Sequence, residues 1–188
     1  MNRHPRKDGR RDGVDPVTRA RVGDDVWVTG TLGDAAAALE ALLAGRKTSA
    51  SLRKRLDRPT PRVAAGRRLS GIAHSCIDLS DGLLADLAHV CERSGVGAEI
   101  DLANLPVSDA LAALDPVQRR RWQASGGDDY ELCFTASPRN RELVTQALDF
   151  AEVSATRIGR IVAGQDVKAF DAEGREWKPM QSGYQHFP

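Results

Sequence analysis

"HSCIDLSDGLLADLAHVCERSG", from His74 to Gly95, changes its hydrophobic period partway along. The residues around Ile72 to Asp78 read as a strand. After Gly82, Leu83, Leu84, Leu87, Val90 and Cys91 recur at helical spacing, so the second half predicts a helix whose apolar stripe packs on a sheet. Strand, acidic turn and helix in that order point to a layered α/β or α+β domain.

The surrounding chain repeats the same grammar. "DDVWVTGTLGDAAAALEALLAG" (24–45) predicts a strand at Val26–Thr29, a turn bracketed by Gly30 and Gly33, and an alanine- and leucine-rich helix closed by Gly45. A basic connection, "GRKTSASLRKRLDRPTPRV", carries a short helix and ends in prolines; Val63–Leu69 starts another helix. "GVGAEIDLANLP" supplies a strand after Gly95 and Gly97, and 108–122 is largely helical with a local start near Pro116. In "ASGGDDYELCFTAS", Tyr130, Leu132 and Phe134 alternate with Glu131 and Cys133, as in a half-buried strand. A helix over 140–151 follows, then strands in "TRIGRIVAG" and "VKAFDAEGREWKPM", the latter a hairpin turning at Glu173 and Gly174. The expectation is one α/β (α+β) layered domain, a mixed sheet packed with helices, over 23–188. The basic segment 1–22 is read as a disordered or atypical leader.

Composition narrows the function classes. The 188 residues are 41% apolar and 28% charged with a formal net charge of +1, which suits one soluble globular domain. So small a net charge offers no bulk attraction to nucleic acid or to an anionic membrane. No apolar run approaches the length of a membrane span, and the first residues lack the apolar core of a secretory signal. Cys76, Cys91 and Cys133 are odd in number, widely spaced and set among apolar residues, which predicts buried free thiols in a reducing, cytoplasmic compartment.

Two acidic clusters stand out. Asp78, Ser80 and Asp81 sit where a strand hands over to a helix. Helix amides there favour an anion, carboxylates repel it, and a hard divalent cation such as Mg²⁺ reconciles the two by binding carboxylate and phosphate oxygens together. On that reading Asp78 and Asp81 are metal ligands and Ser80 donates to a phosphate. The plainer alternative makes Ser80 an N-cap with helix-stabilising acids around it. The second cluster, Asp128, Asp129 and Glu131, follows paired glycines that let the backbone approach a ligand while the acids orient a polar or cationic group, or is a charged hairpin entry. "TGTLGD" reads as a strand-to-helix turn or as a phosphate contact, and it lacks the lysine of a P-loop.

Taken together, "SCIDLSDGLLADLAHV", "GAEIDLANLPVSDAL", "SGGDDYELCFT", the terminal "GYQHF" and the opening "GDDVWVTGTLGDAAAAL" closely resemble the thiamine-monophosphate kinase family, within the aminoimidazole ribonucleotide synthetase-like superfamily. The similarity runs in order from Gly23 to Phe187. It implies the C-terminal of two α/β domains, with the active site between the domains of a homodimeric enzyme. The reaction implied is transfer of the ATP γ-phosphate to thiamine phosphate, assisted by Mg²⁺. By this resemblance Asp78 and Asp81 fall on Mg²⁺ ligands and Ser80 on a nucleotide contact. Asp128 falls where the family has glutamate in "GGEDYEL", a contact to thiamine phosphate. Tyr184, or failing it Phe187, takes the place of an aromatic laid against the thiamine rings. The resemblance places much of the ATP site in an N-terminal domain with no counterpart before Gly23, so the chain alone is expected to show little activity. The alternative implied is a non-catalytic, nucleotide-binding or dimerising domain that works with a separate N-terminal half.

Overall fold

The computed structural model describes residues 19–178, so the expectations for Tyr184, Phe187 and most of the 1–22 segment fall outside the described residues. Seven strands form one mixed sheet in the order β2-β4-β1-β5-β3-β6-β7. They are β1 (Asp25–Thr29), β2 (Ala73–Asp78), β3 (Gly97–Asp101), β4 (Leu132–Ala136), β5 (Ala155–Val162), β6 (Val167–Phe170) and β7 (Glu176–Trp177). All neighbours are antiparallel except β3 and β6, which run parallel. Seven helices cover the sheet: α1 (Asp34–Leu43), α2 (Ala50–Asp57), α3 (Val63–Leu69), α4 (Leu83–Ser94), α5 (Asp109–Ala112), α6 (Pro116–Ser125) and α7 (Arg141–Asp149). The layered α+β expectation holds.

Helices pack on both faces of the sheet. Val26 and Val28 of β1 join Leu83, Leu87 and Val90 of α4 and Ile158 and Ile161 of β5 in one core. On the opposite face, Trp27 stacks on Phe134 with ring centroids 6.2 Å apart, among Leu69 of α3 and Val144 and Leu148 of α7. Ile158 and Ile161 are three apart yet share a face, because a bulge opposite Val26 and Trp27 inserts Ile158 into β5. A third cluster, with Ala38, Leu52, Leu111 and Trp122, ties α1, α2, α5 and α6 together. Ala20, just before Gly23, is already buried in the first core.

One local expectation needs correction. β4 lies between β2 and β1 with helices on both sides, so it is buried almost throughout rather than on alternate residues. Tyr130 is 40% exposed while Glu131 is fully buried, the reverse of the alternation read from sequence. The expectation of a largely helical 108–122 with a local start near Pro116 holds: α5 and α6 divide it, and the α6 cap, Asp115, accepts from the amides of Val117 and Gln118.

Candidate functional site

The edge strand β2 ends at Asp78, opposite Leu132 of β4. Beyond that pair the two chains stay zipped. Leu79 N–H donates to the Glu131 carbonyl at 2.8 Å, Tyr130 N–H to the Leu79 carbonyl at 2.8 Å, and Asp128 N–H to the Ser80 carbonyl at 3.0 Å. Buried Leu79 anchors this pairing in the core, leaving Asp78 exposed and Ser80, Asp81 and Asp128 half-buried beside it. Two far-apart segments of sequence thus meet at one end of the sheet, and the four candidate residues stand on them. The fit is tight: a Cβ on Gly127 would lie 2.5 Å from the Ser80 carbonyl oxygen, and one on Gly82, at φ 116°, 2.9 Å from the Ser125 carbonyl group. Only glycine admits both approaches.

Ser80 does not cap α4. The N-cap position belongs to Gly82, which has no side chain to offer. The capping carboxylate comes from inside the helix. Asp86 Oδ2 accepts the N–H groups of Ser80 at 2.9 Å, Asp81 at 3.0 Å and Gly82 at 3.2 Å. Asp86 is 3% exposed and lies on the apolar stripe with Leu83, Leu87 and Val90. Burial raises its pKa above the usual carboxylate range; the three amides pull it back, and the nearby Asp81 charge pushes it up again. The three amides that the sequence offered to an anion are therefore already engaged. Asp86 was missed in the sequence, although an acid interrupting an apolar stripe at its first turn was a legible signal.

The second cluster splits. Asp128 and Tyr130 hold left-handed backbone, with φ 66° and 50°, and their side chains stay accessible. Asp129 and Glu131 turn inward. Such backbone in non-glycine residues costs of order 1–3 kcal/mol each and persists only when its surroundings hold it. Glu131 provides that hold. Its carboxylate accepts from Thr29 Oγ1 at 2.6 Å, from Arg55 at 2.8 Å, and from Arg62 in a two-pronged pair at 2.7 Å each. The same Thr29 hydroxyl oxygen accepts from Leu132 N–H at 2.8 Å. Glu131 in turn raises the pKa of Arg62. Asp129 accepts the Gly33 N–H at 2.8 and 3.1 Å. Burial pushes its carboxyl up to about 8, against the opposing pull of the Gly33 amide and the Arg55 guanidinium. "TGTLGD" forms the turn from β1 into α1, and its Gly33 amide is taken by Asp129.

Other charged groups are committed elsewhere. His74 Nδ1 pairs with Asp24 at 2.8 Å, and buried Asp25 receives Arg141 at 2.6 and 2.8 Å. The three cysteines are free; burial raises their thiol pKa values, that of Cys91 to about 11. A cleft of about 500 Å³ lies on the β3–β5–β6 side, lined by Glu99, Arg157, Arg160 and Phe170, and includes none of the candidate residues. Among the described residues no group of three or more His, Cys, Asp or Glu is placed to hold a metal ion. Asp78 and Asp81 are two hard oxygen donors on the loop that Asp86 holds. That pair fits Mg²⁺, which commonly keeps several waters and takes one or two carboxylates plus substrate phosphates. No helix among the described residues is long and apolar enough to cross a membrane.

Comparison with known proteins gives this geometry a setting. Residues 21–172 match the model of the AIR synthase related protein, C-terminal domain. The thiamine-monophosphate kinase of Escherichia coli K12 is 45% identical over 178 residues, covering 89% of this chain and 54% of that protein. The crystal structure of thiamine-monophosphate kinase from Stenotrophomonas maltophilia K279a superposes with a TM-score of 0.77 at 47% identity, over 81% of this chain and 51% of that one. A structure described as AaThiL complexed with AMPPCP and TMP gives a TM-score of 0.73 at 33% identity, over 90% of this chain and 53% of that one. The chain spans about half the length of the curated relatives it matches.

Proposed function

We propose a function on one premise: the chain belongs to the AIR synthase related protein C-terminal domain family. On our reading, residues 23–188 form the C-terminal domain of a thiamine-phosphate kinase. This enzyme would transfer the ATP γ-phosphate to thiamine phosphate, giving ADP and thiamine diphosphate, and work as a cytoplasmic homodimer. The observation that supports the reading is the backbone zipper joining residues 79–80 to 128–131, because it brings together the two acidic segments that would serve as metal-and-nucleotide loop and substrate loop.

Asp78 and Asp81 would hold Mg²⁺ at the end of β2. Bound there, the cation would neutralise phosphate charge that bare carboxylates would repel. The Ser80 hydroxyl donates to a nucleotide phosphate oxygen. Asp128, one methylene shorter than glutamate, orients thiamine phosphate from its left-handed position on the adjoining loop. Tyr184, with Phe187 as the second choice, supplies an aromatic face to the cationic thiamine rings. The chemistry then rests on holding acceptor and donor phosphates in line.

The test is thiamine diphosphate formation by the purified chain with Mg-ATP and thiamine phosphate, beside an intact family enzyme. Product that vanishes in Asp81→Asn supports the assignment and shows that this chain suffices. A second reading follows from the two-carboxylate donor set and from the chain's half-length match to its relatives. In it, the chain binds nucleotide or dimerises, and turns over only with an N-terminal half supplied separately. Mg²⁺-dependent nucleotide binding without product favours that reading. No binding and no product count against both.

A further inference from the structure

Asp86 is used by neither loop's proposed chemistry, yet its buried carboxylate is bound to the backbone of the first loop. It sits on the buried stripe of α4, where a carboxylate without hydrogen-bond partners would be strongly disfavoured by desolvation. Its partners are three consecutive amides of one loop. Hydrogen bonds to an ionised acceptor are about twice as strong as neutral ones, so three of them can offset much of that burial. The loop they fix carries Ser80 and Asp81 and continues directly from Asp78. Gly82 offers no competing cap.

We infer that Asp86 is the positioning residue of the Asp78–Asp81 loop. By gathering the amides of Ser80, Asp81 and Gly82 it presents the loop's carboxylates, rather than its backbone N–H groups, to the ligand. This rests on the cation reading above and deepens it. A loop with open amides would bind bare phosphate directly. With those amides held by Asp86, the loop favours a divalent cation, and phosphate arrives through that cation. Asp86 itself touches neither substrate nor metal. Its effect passes through the loop backbone.

The experiment uses the full 188-residue chain with backbone amide exchange followed by NMR and Mn²⁺ as a paramagnetic probe. Asp86→Ala should speed exchange at Ser80, Asp81 and Gly82 by about tenfold or more, as expected for loss of a hydrogen bond to a charged group, while β4 amides stay protected. It should also weaken Mn²⁺ binding by about tenfold or more, the usual penalty for losing a group that orients metal ligands. Asp86→Asn keeps an acceptor oxygen without the charge. It should move the same three amides and the Mn²⁺ affinity in the same direction but less, which keeps the test alive if the alanine variant does not fold. Unchanged exchange at the three amides in both variants would overturn the inference. Faster exchange with Mn²⁺ affinity untouched would also overturn it, reducing Asp86 to a helix cap. No Mn²⁺ effect near Asp78 and Asp81 in the unaltered chain would instead defeat the cation reading on which the inference rests; the exchange rates alone would still report Asp86's grip on the loop.

Discussion

The "DLSD" and "DDYE" segments are alike in composition and lie side by side, yet their acids meet opposite fates. Asp78 is exposed at the end of β2 and Asp81 is half-buried on the turn that follows. Asp129 and Glu131 run into the interior, where Glu131 is surrounded by Thr29, Arg55 and Arg62. An exposed carboxylate keeps its water and can exchange it for a ligand. A buried one must be neutralised by its own protein, by partners or by a proton, and is then spent on structure. The pair shows acidic character left near the surface on one segment and spent on architecture on the next, with one residue, Asp128, on the boundary.

The contrast is most exposed at Glu131. Glu131→Ala leaves two guanidinium groups without their shared partner and should cost about 3–5 kcal/mol in urea unfolding. Asp81→Asn should move the same transition by no more than about 1 kcal/mol, since it removes a charge that repels Asp86. Equal losses in the two variants would break the comparison. Asp129 gives the next effect. Its folded pKa of about 8 lies above the unfolded carboxylate value of 3.8. The folded state therefore holds that proton more tightly, and its stabilising contribution is complete below about pH 4 and lost as pH rises towards 8. Asp129→Asn should flatten the fall in stability by about 1.4 kcal/mol per pH unit across that window. Parallel unfolding curves for the two proteins at pH 5, 6, 7 and 8 would show that Asp129 does not hold a proton there. The smallest change belongs to a pair with no burial at stake. Arg53 and Asp57 lie 2.6 Å apart on the exposed face of α2, and Asp57→Ala should shift stability by less than about 0.5 kcal/mol. A larger loss would mean that surface pairing matters more here than the contrast allows.

Much of the fold was legible because local pattern and final position agree. Val26–Thr29, Val63–Leu69 and the apolar stripe of 83–91 all became the elements their periods predict. Gly45 and Gly95 took the left-handed conformation expected after a helix. β4 was misread because alternation marks a sheet with one wet face, and this strand has none. At the candidate site, "DLSDG" was recognisable as an acidic strand-to-helix turn. Which residue organises it was not, since Ser80 has the right chemistry for a cap and Asp86 has the right position.

The sequence by itself determined the order of strands and helices, the layered α+β class and the presence of two acidic turns, all of which follow from local periodicity and turn chemistry. Only the tertiary structure decided which acids stay near the surface and which are buried. That choice depends on partners far along the chain: Thr29 stands 102 residues from Glu131, and Arg62 stands 69. Burial and charge compensation are properties of the assembled core, and no window of sequence contains both halves of such a pair.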